Sequence, residues 1–134
     1  MKSEIKERWL TALRSGKYEQ SKDALKSPEG YCCLGVLCDV VKGDLNINWE
    51  NFDTITHDSI YEILGERSVL PSIVMNYCKL NNKNPFFELD NLAIDYLKSI
   101  CDDDVNLEYI GNLAELNDAG ANFNFIADVI ERNL

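Results

Sequence analysis

The sequence predicts an α+β fold that is mainly helical, with about five helices in a single domain over residues 1–134 and a small hairpin or irregular central segment. Two observations predict it. Apolar residues recur at helical spacing near both ends of the chain, whereas residues 42–69 scatter aromatic side chains among polar ones. The 134 residues are 46% hydrophobic, and a chain of this size buries roughly two thirds of its unfolded surface. We therefore expect a globular core that needs neither a metal nor a disulfide.

The first predicted helix covers residues 4–15. Trp9 and Leu13 belong to its apolar face, which repeats at helical spacing. Ser3 is a favourable residue for the N-cap position. Gly16 suits the position just after the helix, where a left-handed backbone is common.

The segment 31–41 is almost entirely apolar and is preceded by a Pro-Gly turn over residues 27–30. Periodicity alone does not separate a buried helix from a buried strand here. The length of the segment favours a helix. A glycine inside a helix costs about 1 kcal/mol relative to alanine, so Gly35 indicates a close packing contact.

The segment 42–69 is the least regular part of the chain, and we expect a long loop, with a hairpin as the alternative. The run from Tyr61 to Leu64 is a candidate short strand. Pro71 is placed to begin the next helix, because proline is favoured at the first helical position. That helix is predicted to reach Leu80.

Three further helices are predicted in the C-terminal part of the chain, two of them with caps. Apolar spacing indicates a helix over residues 89–100. Asn112 and Glu115 resemble a capping pair for a short helix that follows. Asn122 is the expected cap of a last helix over residues 123–133.

The last predicted helix has two apolar faces. Phe123, Ile126 and Ile130 lie on one face, whereas Phe125 and Val129 lie nearly opposite. A helix of this kind packs against two structures, and the second is either a loop of the same chain or a partner subunit. Phe125 and Val129 are therefore the candidate oligomer interface of a homodimer, the commonest closed assembly.

Charge is distributed unevenly along the chain. Residues 1–42 carry eight basic and six acidic side chains, whereas the remainder carries five basic and seventeen acidic ones, and the net charge is −10. An acidic protein is unsuited to direct nucleic-acid binding. The helix-turn-helix-like spacing of residues 113–134 is accordingly interpreted as a packing motif.

No apolar run is long enough for a transmembrane helix, and no secretory signal is recognisable, so we expect a cytoplasmic protein with reduced cysteines and no membrane partner.

Motifs for catalysis or metal binding are weak. The five cysteines include no CxxC pair, and His57 is the only histidine, so neither a zinc site nor a Cys–His nucleophile is predicted. Asp102 and Asp104 begin a calcium-loop pattern, but Leu107 stands where that loop requires glycine. No phosphate-binding glycine motif is present. We therefore expect no enzyme, catalytic residue, metal or cofactor.

Three blocks of the sequence resemble a family of small proteins from tailed bacteriophages and prophages. They are Trp9 with the string ALRSGKYEQ that follows at Ala12, the string GYCCLGVLCD over residues 30–39, and LAELNDAG followed by NF and IAD over residues 113–128. The resemblance implies an accessory protein in the host cytoplasm, acting against host defence. Such proteins either sequester a small nucleotide signal or block a defence protein.

The first functional hypothesis is a non-enzymatic protein that sequesters a nucleotide-derived immune signal. A phosphate needs Arg or Lys donors, and a base gains from an aromatic surface. The candidate ligand-binding residues are Arg14, Lys17, Tyr18, Gln20, Asn117 and Asp118. A plainer interpretation is that Arg14 is an ordinary cation at a helix C-terminus and that Asn117 and Asp118 form a turn.

The alternative is an acidic inhibitor that binds a host defence protein by mimicking the charge of DNA. The acidic half of the chain motivates it, with Asp102 to Asp104 as a representative patch. Such binding is expected to weaken with salt.

Overall fold

The computed structural model describes residues 1–53 and 59–134. Within these ranges the chain forms six α-helices, one 3-10 turn at Leu107–Tyr109 and two antiparallel hairpins. The helices are α1 Ser3–Arg14, α2 Cys33–Leu45, α3 Ser72–Tyr77, α4 Asn91–Ile100, α5 Leu113–Asp118 and α6 Phe123–Asn133. The strands are β1 Lys26–Ser27, β2 Gly30–Tyr31, β3 Trp49–Asp53 and β4 Ser59–Ile63. The predicted α+β class is confirmed.

Helix α2 lies in the centre of the core and resolves the ambiguity of the apolar segment. Tyr31 ends β2, and the helix begins two residues later at Cys33. α1 packs against both α2 and α6. The indole Nε1 of the fully buried Trp9 donates to the carbonyl of Cys33 at 2.9 Å, which joins α1 to the start of α2.

Gly35 confirms the expected close contact. A Cβ added at this position would lie 1.7 Å from the carbonyl oxygen of Leu25. The same oxygen also accepts a backbone hydrogen bond, because Cys32 N–H donates to it at 3.1 Å. The first turn of α2 therefore lies directly on the backbone before β1.

Some helix ends lie where the sequence predicts them, and others do not. Gly16 has φ +72° after α1, as predicted, but the N-cap is Lys2 and Ser3 is already helical, so the predicted Ser3 cap is wrong. Pro71 is the N-cap of α3 rather than its first residue. Asn112 and Asn122 cap α5 and α6 as predicted, each accepting from a backbone N–H three residues later.

The central segment contains a hairpin. Trp49 of β3 pairs with Ile63 of β4, and four further residue pairs continue the register. The strand expected over Tyr61 to Leu64 is thus present with shifted ends, because Leu64 adopts φ +51° and leaves the strand. His57, considered above as a partner for a cysteine, lies outside the described residues.

The second apolar face of α6 is covered by the same chain. Val129 is fully buried, and the ring of Phe125 stacks on Tyr96 of α4 with centroids 3.8 Å apart. The predicted oligomer interface is therefore corrected at Val129, which is buried within this chain, whereas at the half-buried Phe125 it stays a prediction. None of the described helices is long and apolar enough to cross a membrane.

Candidate functional site

The six candidate ligand residues separate into a structural group and a surface group. The structural group is Asn117, Asp118 and Gln20, whose hydrogen bonds join α5 to the start of α2 and to residues 20–23. Arg14, Lys17 and Tyr18 lie on the surface at and just after the end of α1.

Asn117 is fully buried and uses both ends of its amide within the chain. Its Oδ1 accepts from Gln20 Nε2 at 2.9 Å and from the backbone N–H of Cys33 at 3.2 Å. Its Nδ2 donates to the carbonyl of Ser21 at 2.9 Å and to Asp118 Oδ1 at 3.3 Å. The prediction that Asn117 reads a ligand is therefore wrong, because its side chain is a structural link between α5 and α2.

The neighbours of Asn117 are also engaged in the fold. Gln20 Nε2 donates to the carbonyl of Ala121 at 2.8 Å in addition to Asn117. Asp118 Oδ1 accepts from the backbone N–H of Asp23 at 3.1 Å, where Asp23 has φ +70°. The plainer interpretation, in which Asp118 supports a turn, fits these contacts better than ligand recognition does.

Arg14 reaches across to α6. Its guanidinium forms ion pairs of 2.8 Å with both Glu131 and Asp128. The hydrogen bond to Glu131, followed by that to Asp128, raises the pKa of Arg14 above its ordinary value. The pairs are solvent-exposed and are worth little to stability. Arg14, Tyr18 and Gln20 line a cavity of about 260 Å³ beside the first turn of α6.

A larger groove of about 540 Å³ lies between α1 and α2. Charged, polar and apolar side chains line it, namely Glu7, Arg8, Thr11, Ala12, Ser15, Lys17, Tyr18, Asp39 and Val40. The Arg8 guanidinium is already paired with Asp44 at 2.6 Å. The Lys17 ammonium has no ion-pair or hydrogen-bond partner among the residues that the structure describes. Lys17 and Tyr18 are the predicted residues in this groove.

Asp39 anchors the wall of the groove that Tyr18 forms. The carboxylate accepts from Tyr18 Oη at 2.6 Å, Lys42 Nζ at 2.6 Å and Trp49 Nε1 at 3.0 Å. Burial alone raises the pKa of Asp39, but the three hydrogen bonds outweigh it and hold the pKa below its usual value. Burial and the bond to Asp39 together raise the pKa of Tyr18, so its hydroxyl stays a donor.

Sequence reasoning missed Arg8 and Asp39 as groove residues. Lys42 lies three residues after Asp39 on the same helix, which is a pairing that sequence spacing can reveal. Nothing in the spacing places Tyr18 or Trp49 beside that carboxylate.

The cysteines are positioned as core side chains. Cys32, Cys33, Cys38 and Cys78 are buried, and burial raises the pKa of the Cys32 thiol to about 11. Such thiols stay protonated near neutral pH and are poor nucleophiles. Among residues 1–53 and 59–134 no group of three or more side chains is arranged to hold a metal ion.

Comparison with known proteins identifies the family. The chain belongs to the family described as "Domain of unknown function (DUF8296)", whose model matches residues 1–134. No curated protein and no solved structure matches the chain.

Proposed function

We propose that this member of the DUF8296 family is a non-enzymatic phage accessory protein that binds a nucleotide-derived immune signal and sequesters it from the host. One observation carries the proposal. The groove between α1 and α2, with a volume of about 540 Å³, is lined by Tyr18 and by Lys17, whose ammonium has no partner among the described residues. Small-molecule sites are usually about 300–1,000 Å³.

The chemistry of the two cavities suits the two parts of a nucleotide. Tyr18 lines both of them, with Lys17 in the groove and Arg14 in the smaller cavity. A phosphate accepts charge-assisted hydrogen bonds from Lys or Arg, and it can compete for Arg14 because the ion pairs of Arg14 with α6 are exposed. The ring of Tyr18 offers an apolar surface for a base. Asp39 holds that ring in place through the Tyr18 hydroxyl.

Native mass spectrometry with a panel of cyclic oligonucleotides and ADP-ribose derivatives tests the proposal. We expect one panel member to be retained per protomer or per assembly. Lys17→Ala and Arg14→Ala are each expected to weaken that complex about tenfold, which is the loss of one hydrogen bond to a charged group.

Lys98→Ala is the matched control, because it removes an exposed lysine of α4 outside both cavities. Its affinity should equal that of the unmodified protein. If no panel member is retained, or if neither Lys17→Ala nor Arg14→Ala changes the affinity, the sequestration proposal is wrong.

A second candidate is the acidic inhibitor of a host defence protein, and the segment 102–109 supports it. Asp102, Asp103 and Asp104 are exposed there together with 42% of Val105 and 79% of Tyr109. Exposed apolar side chains that are rimmed by polar residues mark protein interaction surfaces. The occupant that this surface fits is a basic protein surface.

The inhibitor candidate predicts association with a host protein that weakens steeply with salt. A pull-down from host lysate at low salt should recover a partner, and its recovery should fall at least about tenfold when Asp102, Asp103 and Asp104 are all changed to Asn. A control with Glu4, Glu29 and Glu50 changed to Gln removes the same charge from other exposed positions. Equal recovery with the two triple variants would contradict a role for this surface.

A further inference from the structure

A lysine side chain is enclosed by aromatic rings where the two hairpins meet. The ammonium of Lys26, on β1, lies 4.8 Å from the ring centroid of Tyr61, 5.2 Å from Tyr31 and 5.5 Å from Trp49. A cation within about 6 Å of an aromatic centroid is attracted to the ring face. Here three rings from three strands share one ammonium. We call Tyr31, Trp49 and Tyr61 the aromatic cage.

The cage is held in place by contacts that do not involve Lys26. Trp49 Nε1 donates to Asp39, and the Trp49 ring makes an edge contact with Tyr31 at 6.0 Å. Tyr31 in turn makes an edge contact with Tyr18 at 5.1 Å. Tyr61 is fixed by its position in β4, opposite Asn51 of β3. The three rings are therefore pre-organised without their lysine.

In the described part of the chain, the ammonium of Lys26 lies against aromatic rings rather than against a carboxylate. No carboxylate pairs with its ammonium among the described residues, although the chain carries 23 acidic side chains. An ammonium surrounded by aromatic rings instead of a counter-ion is the arrangement by which proteins recognise quaternary ammonium and methylated lysine. The net charge of −10 also favours the approach of cations to this protein.

We propose that the aromatic cage is a binding site for an alkylammonium group supplied from outside the chain, and that Lys26 is its tethered occupant. The class includes free quaternary ammonium ions and the methylated lysine side chains of proteins. A tethered group acts at a high effective concentration. An external ammonium therefore competes with Lys26, and removing Lys26 increases the affinity of the cage.

The two tryptophan indoles allow a direct test by NMR. Trp49 is a wall of the cage, whereas Trp9 is buried and donates to Cys33. In Lys26→Ala, titration with tetramethylammonium chloride should shift the Trp49 indole N–H resonance saturably and leave that of Trp9 unchanged. The unmodified protein should need at least about ten times more of the ion, because of the tethered competitor. Trp49→Phe assigns the two resonances.

Two controls separate the cage from general charge effects. Lys22→Ala removes an exposed lysine from the same loop without opening the cage, and it should titrate like the unmodified protein. Sodium chloride at the same ionic strength should not shift Trp49. The native position of the Trp9 resonance shows that each variant is folded. If Lys26→Ala does not fold, Lys26→Met, which keeps most of the apolar stem of the side chain, replaces it.

A peptide with one trimethyllysine, compared with the same peptide carrying glutamine, identifies the source of the ammonium. Tighter binding of the methylated peptide than of tetramethylammonium supports a protein partner, whereas equal affinity supports a free small ion. The proposal is overturned if the folded Lys26 variants show no saturable Trp49 shift, or if they bind tetramethylammonium no more tightly than Lys22→Ala does.

Discussion

Gly35→Ala is expected to destabilise the protein by about 4 kcal/mol or to prevent folding, which places it among the largest effects of single substitutions. The added methyl group would lie 1.7 Å from the Leu25 carbonyl oxygen. The obstacle is backbone rather than a flexible side chain, so relief requires α2 to move away from the segment before β1. That movement would break the bond from Cys32 N–H to the same oxygen. Urea unfolding followed by circular dichroism measures the loss.

Gly43→Ala in the same helix is the matched control. A Cβ at position 43 meets no atom within 4 Å, so only helix propensity changes. Alanine is favoured over glycine by about 1 kcal/mol within a helix, although a position near the helix end gains less. Gly35→Ala should therefore lower the free energy of unfolding, whereas Gly43→Ala should raise it slightly. Equal and small effects at Gly35 and Gly43 would contradict the close contact.

Asn117→Ala is expected to cost about 3 kcal/mol, because it leaves buried polar groups without partners. Asn117 is 0% exposed. Cys33 N–H, at the start of α2, loses its acceptor, and the carbonyl of Ser21 loses its donor. The substitution thus removes a cap that α5 supplies to another helix. Thermal or urea unfolding of the purified variant gives the magnitude.

Asn124→Ala serves as the control for Asn117→Ala. Asn124 lies exposed in the first turn of α6, so its loss should change the free energy of unfolding by less than about 0.5 kcal/mol. Asn117→Asp adds a finer test, since it keeps the acceptor for Cys33 but buries a charge. If Asn117→Ala were as stable as Asn124→Ala, the buried network would not hold the fold together.

The sequence predicts a structural feature correctly where the interactions that determine the feature join neighbouring residues. Asn112 and Asn122 cap helices through a bond to the third following residue, so the pattern alone contains the information. Gly35 is informative because a helix tolerates glycine only at a cost. Ser3 shows the limit of a local rule, since the chain starts the helix one residue earlier.

Long-range contacts explain the predictions that differed from the structure. Asn117 looks like a turn residue, and its structural role depends on Gln20 and Cys33, which are 97 and 84 positions away. The sequence predicts Phe125 as an interface residue because it does not show that Tyr96, which is distant in sequence, stacks on the Phe125 ring. In the groove, Lys17 and Tyr18 belong to the basic segment that the sequence singles out, whereas the contacts of Asp39 with Tyr18 and Trp49 are not revealed by any spacing.

The contact of α1 with α6 has a consequence for the order in which the chain acquires structure. Lys6 Nζ donates to the carbonyl of Glu131 at 3.1 Å, and Arg14 pairs with the same residue. Lys6 and Glu131 are 125 positions apart in the sequence. Bringing them together costs conformational entropy before the contacts between α1 and α6 can stabilise the fold. During synthesis the part of α1 that packs on α6 therefore remains uncovered until α6 has left the ribosome, whereas α2 is available earlier. Helices α1 and α6 therefore form one cooperative unit, which cannot be completed before α6 is available.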